Sequence, residues 1–180
     1  MVPVRGKPDP GPRSLLCMAM ASGAVVSDLD AFELAVRTQS QALFSLARAI
    51  LADRQEAEDA VQDTMELAWR SWRSLRDPQR LNAWLKKICV RRCLRVKRRL
   101  FGLLPLSEQD RDPRPTPTTD PDLDRAFRRL SRHQRAVIRL HYHDGYSLDE
   151  CAGLMGCRPG TVRSHLARAL ASLRQELSHD

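Results

Sequence analysis

YSLDECAGLMGCRPGTVRSHLAR, residues 146–168, spells two short helices and the turn between them. Ser147 followed three residues later by Glu150 is a capping box, in which each side chain satisfies a backbone N–H left open at a helix start. Leu148, Cys151, Ala152 and Met155 then fall at the spacing of one buried helical face. Gly156 supplies the left-handed residue that stops such a helix. Pro159 suits the first turn of a second helix, whose inner face reads Val162, Leu166, Ala169, Leu170, Leu173 and Leu177. Two amphipathic helices joined this tightly form a helix-turn-helix, with Arg163, Ser164, His165 and Arg168 facing outward, able to enter a DNA major groove. The competing reading is a plain helical hairpin with a solvated basic face, and the rest of the chain has to separate the two.

Composition narrows the choice. The 180 residues are 42% hydrophobic and only 5% aromatic, with Ala, Leu, Arg and Glu prominent in the regular stretches and no alternating β-branched runs, so the expected fold is all-α. A net charge of +8 points to a polyanionic partner, and no apolar run is long enough to span a bilayer, so no membrane insertion is expected. Five cysteines, Cys17, Cys89, Cys93, Cys151 and Cys157, read as reduced thiols of a cytoplasmic protein. His141, His143, Cys151 and Cys157 fit no common zinc spacing, so no metal and no cofactor is expected.

Residues 1–27 begin with MVPVRGKPDPGPR, whose prolines and glycines forbid regular structure, and read as a disordered extension in which Met18 or Met20 is an alternative start. Export is disfavoured, although Leu15-Leu16-Cys17 faintly resembles a signal cleavage region. Asp28 opens a long helix with Phe32, Ala35, Val36, Leu43, Leu46, Ala47, Ile50 and Leu51 on one face. Asp53 with Glu56 caps the next, which carries the apolar stripe Ala57, Val61, Met65, Ala68 and Trp72. Beside it runs an acidic ridge, Asp59, Gln62, Asp63 and Glu66, either a solvated face or a docking edge for a basic partner. Asp77-Pro78 reads as a cap with proline at the first helical position of a third helix. From Lys86 to Arg99 that segment carries eight basic residues and no acidic one, a density that repels itself unless phosphate neutralises it. Trp84 can stack on a base or fill the core.

Residues 101–122 hold five prolines among polar residues and read as a flexible linker. Asp122 then caps a helix with Leu123, Ala126, Phe127 and Leu130 inward, and Ser131 with Gln134 caps another ending near Gly145. With the helix-turn-helix, residues 123–178 make a second small module after the first at 28–100. Two basic modules on a tether can hold two stretches of one DNA.

QEAEDAVQDTMELAWRSW, then LNAWLKKICVRRCLRVKRR, a proline-rich break and LSRHQRAVIRLHYHDGYSLDECAGLMGCRPGTVRSHLARALASLR resemble, in that order, a bacterial sigma factor of the extracytoplasmic-function group. The resemblance implies a non-enzymatic transcription initiation factor with a region 2 bundle and a region 4 helix-turn-helix. Core RNA polymerase and promoter DNA are its implied partners, with an anti-sigma factor as a further candidate. It implies polymerase docking by Asp59, Gln62, Asp63 and Glu66, and −10 recognition by Trp84, Lys87, Arg91, Arg92, Arg95, Arg98 and Arg99. Recognition of the −35 element falls to Arg158, Thr161, Arg163, Ser164, His165 and Arg168. Two positions depart from the family pattern: Arg91 stands where many members have an asparagine that receives a flipped base, and Arg158 replaces a Ser or Thr cap. The alternative is a free-standing helix-turn-helix regulator, which leaves the acidic ridge and the Lys86 to Arg99 segment without a role and would need a dimer. An enzyme lacks support, since no phosphate loop, nucleophile elbow or metal cluster occurs.

Overall fold

The computed structural model describes residues 28–75, 77–95 and 121–177, and every regular element among them is helical. The first module comprises α1 (Asp28–Leu51), α2 (Arg54–Arg70), two 3-10 turns (Trp72–Ser74 and Pro78–Arg80) and α3 (Leu81–Arg95). The second comprises α4 (Pro121–Arg129), α5 (Arg132–Ile138) running into a π-type turn (Arg139–His143), α6 (Leu148–Met155) and α7 (Pro159–Leu177). Lys97, Arg98, Arg99, the N-terminal extension and the linker up to residue 120 lie outside the described residues.

The face predicted for α1 is the one that packs, with Ala35, Leu43, Leu46, Ala47, Ile50 and Leu51 all buried. Asp53 caps α2 as expected, its carboxylate accepting from the Glu56 N–H at 2.7 Å. The buried line of α2 is rotated from the predicted stripe, since Ala57, Ala60, Thr64 and Ala68 are the buried residues and Val61 and Met65 flank them. Small side chains there let α1 approach closely. The Thr64 hydroxyl loses little by burial because it donates to the Ala60 carbonyl at 2.6 Å. Trp72 lies past the end of α2, where a 3-10 turn folds its ring edge-on to Phe32 at 5.2 Å. Before α3, the Asp77 carboxylate accepts from the Gln79 N–H and closes a 3-10 turn, so the α-helix begins at Leu81 rather than at the proline.

In the second module both predicted capping boxes are formed, Ser131 with Gln134 and Ser147 with Glu150. Gly156 ends α6 at φ 73°, a backbone state that costs a residue with a Cβ about 1 kcal/mol or more. Val162 and Ala169 anchor α7 while Leu166, Leu170 and Leu173 are half-buried; Leu177, expected inward, is exposed because the last turn runs past the module. Ser147→Ala is expected to lower stability by about 1 kcal/mol in urea titration, because the box satisfies two otherwise open donors at the entry to α6.

The two modules do not stand apart. Helix α3 lies on α6 and α1 lies on α5. Val137, Leu140, Cys151 and Met155 of the second module belong to the same continuous core as Leu43, Leu85, Cys89 and Val90 of the first. Helical periodicity marks which face of each helix is apolar but not which partner covers it, so this packing had no signature in the sequence.

Candidate nucleic-acid interface and docking ridge

Helix α7 presents the residues expected at a major groove. Arg158 starts it through its backbone, the carbonyl accepting from the N–H groups of Thr161 and Val162, so a lost side-chain cap is partly replaced. Arg158, Thr161, Arg163, Ser164 and Arg168 are exposed. The Ser164 hydroxyl donates to the Gly160 carbonyl at 3.0 Å, which leaves its lone pairs, not its proton, for an outside partner. His165 is half-buried and stacks on His133 with ring centroids 5.0 Å apart. Burial first, then the neighbouring His133 and Arg168, lowers its pKa below the ordinary histidine value. Arg163 makes an ion pair with Asp149 at 3.5 Å, both side chains well exposed.

Helix α3 divides its predicted residues between roles. Lys87 and Arg95 are exposed. Trp84 is half-buried and packs against the core, its ring edge-on to Trp72 with the centroids 6.3 Å apart. Arg92 pairs with Asp63 of α2, which ties the basic helix to the acidic ridge. Arg91 is half-exposed and donates to the Gly153 and Leu154 carbonyls of α6 at 3.2 and 3.4 Å. Arg98 and Arg99 are outside the described residues. On the ridge, Asp59, Gln62 and Glu66 are exposed and Asp63 is half-exposed. Asp59 accepts from the Gln55 side chain at 3.2 Å and Glu66 faces Arg70 at 4.0 Å.

A polar hub that sequence reasoning missed sits where the modules meet. The Asp144 carboxylate, 6% exposed, accepts from Lys86 of α3 and from Arg139 and His143 of its own module, each at 3.0 Å. Lys86 belongs in the sequence to the basic run read as phosphate-facing, and only tertiary packing brings Asp144 to it. Burial alone would raise the Asp144 pKa, but the Lys86 and Arg139 charges outweigh it and hold the carboxyl below the usual aspartate value. A depressed carboxyl contributes stability above its unfolded pKa of about 3.9, and that stability is lost as pH falls through the folded value. Asp144→Asn is therefore expected to cost about 1.5 kcal/mol at pH 7, the scale of a hydrogen bond to a charged group, and to flatten the loss of stability below about pH 4 in urea titrations.

Cys89, Cys93 and Cys151 are buried free thiols and Cys157 is half-buried. Burial first, then the Glu150 charge, pushes Cys151 up to about 11, which keeps it protonated and unreactive.

With this geometry in place, residues 35–100 match the family Sigma-70 region 2 and residues 121–173 match Sigma-70, region 4. The chain is 32% identical over 164 residues to the RNA polymerase sigma-E factor of Streptomyces antibioticus, covering 88% of each. It is 33% identical over 159 residues to the ECF RNA polymerase sigma factor SigM of Mycobacterium tuberculosis, covering 86% of this chain and 81% of SigM. Among solved structures it resembles the sigma factor RpoE bound to the anti-sigma factor NepR from Bartonella quintana, at a TM-score of 0.56 and 27% identity, over 83% of this chain and 98% of RpoE. It also resembles CnrH in complex with the cytosolic domain of CnrY, at the same score and identity, over 92% and 96%.

Proposed function

The chain belongs to the sigma-70 family, in its extracytoplasmic-function group, and is on that ground a transcription initiation factor; we propose that it docks on core RNA polymerase through α2 and reads promoters through α3 and α7. The observation that carries the assignment of roles is the exposure of three chemically distinct surfaces in the family's order: an acidic edge on α2, a basic edge on α3 and a basic helix-turn-helix face on α7.

Asp59, Gln62, Asp63 and Glu66 form the polymerase edge, where complementary charge sets both encounter rate and partner choice. Lys87, Arg92, Arg95 and the Arg91 guanidinium serve the −10 element, with Arg98 and Arg99 continuing the run and Trp84 supporting it from the core. Arg158, Thr161, Arg163, Ser164, His165 and Arg168 serve the −35 element. The arginines can pair bidentately with guanine, and Ser164 and His165 can add weaker contacts. The function is carried out by binding; the complex of RpoE with the anti-sigma factor NepR makes an anti-sigma factor a further expected partner. Among the described residues no helix is long and apolar enough to cross a membrane, and action in the cytoplasm follows from the polymerase it serves. The free-standing regulator loses ground because residues 35–100, which it leaves without a role, have their own family match.

Transcription of a genomic DNA library by core polymerase, with and without this protein, tests the proposal. A discrete set of new start sites preceded by common upstream and −10 sequences is expected, and an unchanged start-site profile refutes it.

A further inference from the structure

Cys89 and Cys93 sit one turn apart on the packed face of α3, both fully buried, and their side chains are hydrogen-bonded to each other. Promoter reading makes no use of them. The Cys89 thiol also donates weakly to the Leu43 carbonyl of α1 at 3.8 Å, which holds the pair on its core side. The two sulfurs are not equivalent. The hydrogen bond from Cys93 lowers the Cys89 pKa below the ordinary thiol value against the opposing cost of burial, while that contact and burial push Cys93 up. One sulfur is therefore the readier nucleophile and the other keeps its proton. Cys151, whose sulfur faces the Tyr146 carbonyl at 3.9 Å, is only pushed up and serves as the internal comparison.

We propose that Cys89 and Cys93 are a peroxide-responsive dithiol, which closes to an intrahelical disulfide and displaces the arginines between its two ends. The consequence for DNA rests on the reading of α3 as the −10 helix. Side chains one turn apart on a helix have Cβ atoms about 5 to 6 Å apart, whereas a disulfide needs about 3.5 to 4.5 Å. The pair is near enough to react but cannot close without drawing in the backbone between the two residues. That backbone is Val90, Arg91 and Arg92, so closure distorts the turn that carries two residues assigned to the −10 element and pulls Arg92 from Asp63. A strained disulfide is also readily reduced, which makes the change reversible. Peroxide reaches the buried pair through local opening of the module. The Cys89 thiolate attacks one oxygen of hydrogen peroxide and the O–O bond breaks. The departing hydroxide takes up the proton that Cys89 released and becomes water, leaving a sulfenic acid on Cys89. The Cys93 sulfur then attacks the Cys89 sulfur, the S–O bond breaks, and the hydroxyl leaves as a second water with the Cys93 proton. Two thiols and one peroxide thus give one disulfide and two waters, a two-electron oxidation.

Trypsin reads the bond directly, because Arg91 and Arg92 lie between the two cysteines. The full chain is treated with hydrogen peroxide, cleared of excess by catalase, blocked at free thiols in denaturant and digested. Peptides ICVR (88–91) and CLR (93–95) should be recovered joined by a disulfide and should separate on reduction, with Cys151 unmodified. Cys93→Ala should stop at the sulfenic acid on Cys89, trapped by dimedone, and Cys89→Ala should give neither product. Promoter-dependent transcription by core polymerase with the oxidised chain should fall roughly tenfold, the scale of one lost base contact, and return on reduction. A Cys89→Ala, Cys93→Ala variant should keep its transcription through the same treatment, since alanine is small and favours helix. The peptide map needs no variant, so it decides the chemistry even where a substitution weakens the core. Absence of the linked peptide, or oxidation confined to Cys17 or Cys157, overturns the dithiol. A linked peptide with unchanged transcription, or an equal loss in the double alanine variant, overturns the coupling to α3. If the reduced wild type starts no new transcripts, promoter reading itself fails, while the linked peptide still decides whether the pair closes.

Discussion

Core RNA polymerase is expected to lose its hold on an Asp59→Arg, Asp63→Arg variant: co-purification falls to background and promoter-dependent transcription with it, while the helical circular dichroism is retained. Reversing two charges in a complementary interface removes their attraction and adds like-charge repulsion, at several kcal/mol in sum and a loss of a thousandfold or more in affinity. The two substitutions are not equivalent. Asp59 is exposed and accepts from the Gln55 side chain, so Asp59→Arg by itself should cost little stability. Asp63 pairs with Arg92, and an arginine there faces Arg92 directly. Both members of that pair are more than a third exposed, so its loss is worth about 0.2 to 1 kcal/mol, too little to unfold the module. Asp59→Arg alone is therefore the cleaner test. If it co-purifies normally, α2 is not the docking edge. If only the Asp63→Arg variant fails, the contact between α2 and α3 is what polymerase requires.

The second large effect is expected at the upstream element. Arg163 is held by Asp149 in the free protein, but that pair is exposed and worth at most about 1 kcal/mol, whereas a bidentate guanine contact discriminates by about 1 to 3 kcal/mol. The DNA contact should win, with Asp149 released as it forms. Arg163→Ala is thus expected to reduce initiation at the preferred sequence roughly 5- to 150-fold, by that same range of free energy, and to flatten preference at one or two base pairs. A phosphate contact predicts something else: all promoters weaken about equally, and the salt slope drops by roughly one counterion. A promoter library randomised only at the upstream element separates the two. An unchanged sequence profile in Arg163→Ala, Arg168→Ala would remove both residues from the readout.

Local chemistry was legible in the sequence because its causes are local. The boxes at Ser131 and Ser147, the cap at Asp53 and the left-handed stop at Gly156 depend on residues within a few positions of each other, and each is formed as the spacing predicts. Apolar periodicity gave the buried faces of α1 and α6 for the same reason. It gave α2 less well, because Ala60 and Thr64 are small enough to be buried by a close neighbour and carry little hydrophobic signal of their own. The start of α3 was displaced because Asp77 closes a tight turn that competes with the helical start that proline suggests. Charge runs and helical spacing marked the ridge, the basic segment and the outward face of α7, but could not say which of their charges remain available. That depends on what lies opposite each one in space. Arg91, Arg92 and Lys86 belong to one uniformly basic run in the sequence. Tertiary packing gives them three different counterparts, the open end of α6, Asp63 and Asp144, because an arginine or lysine brought to a seam must find carbonyls or carboxylates there or bear the cost of an unpaired buried charge.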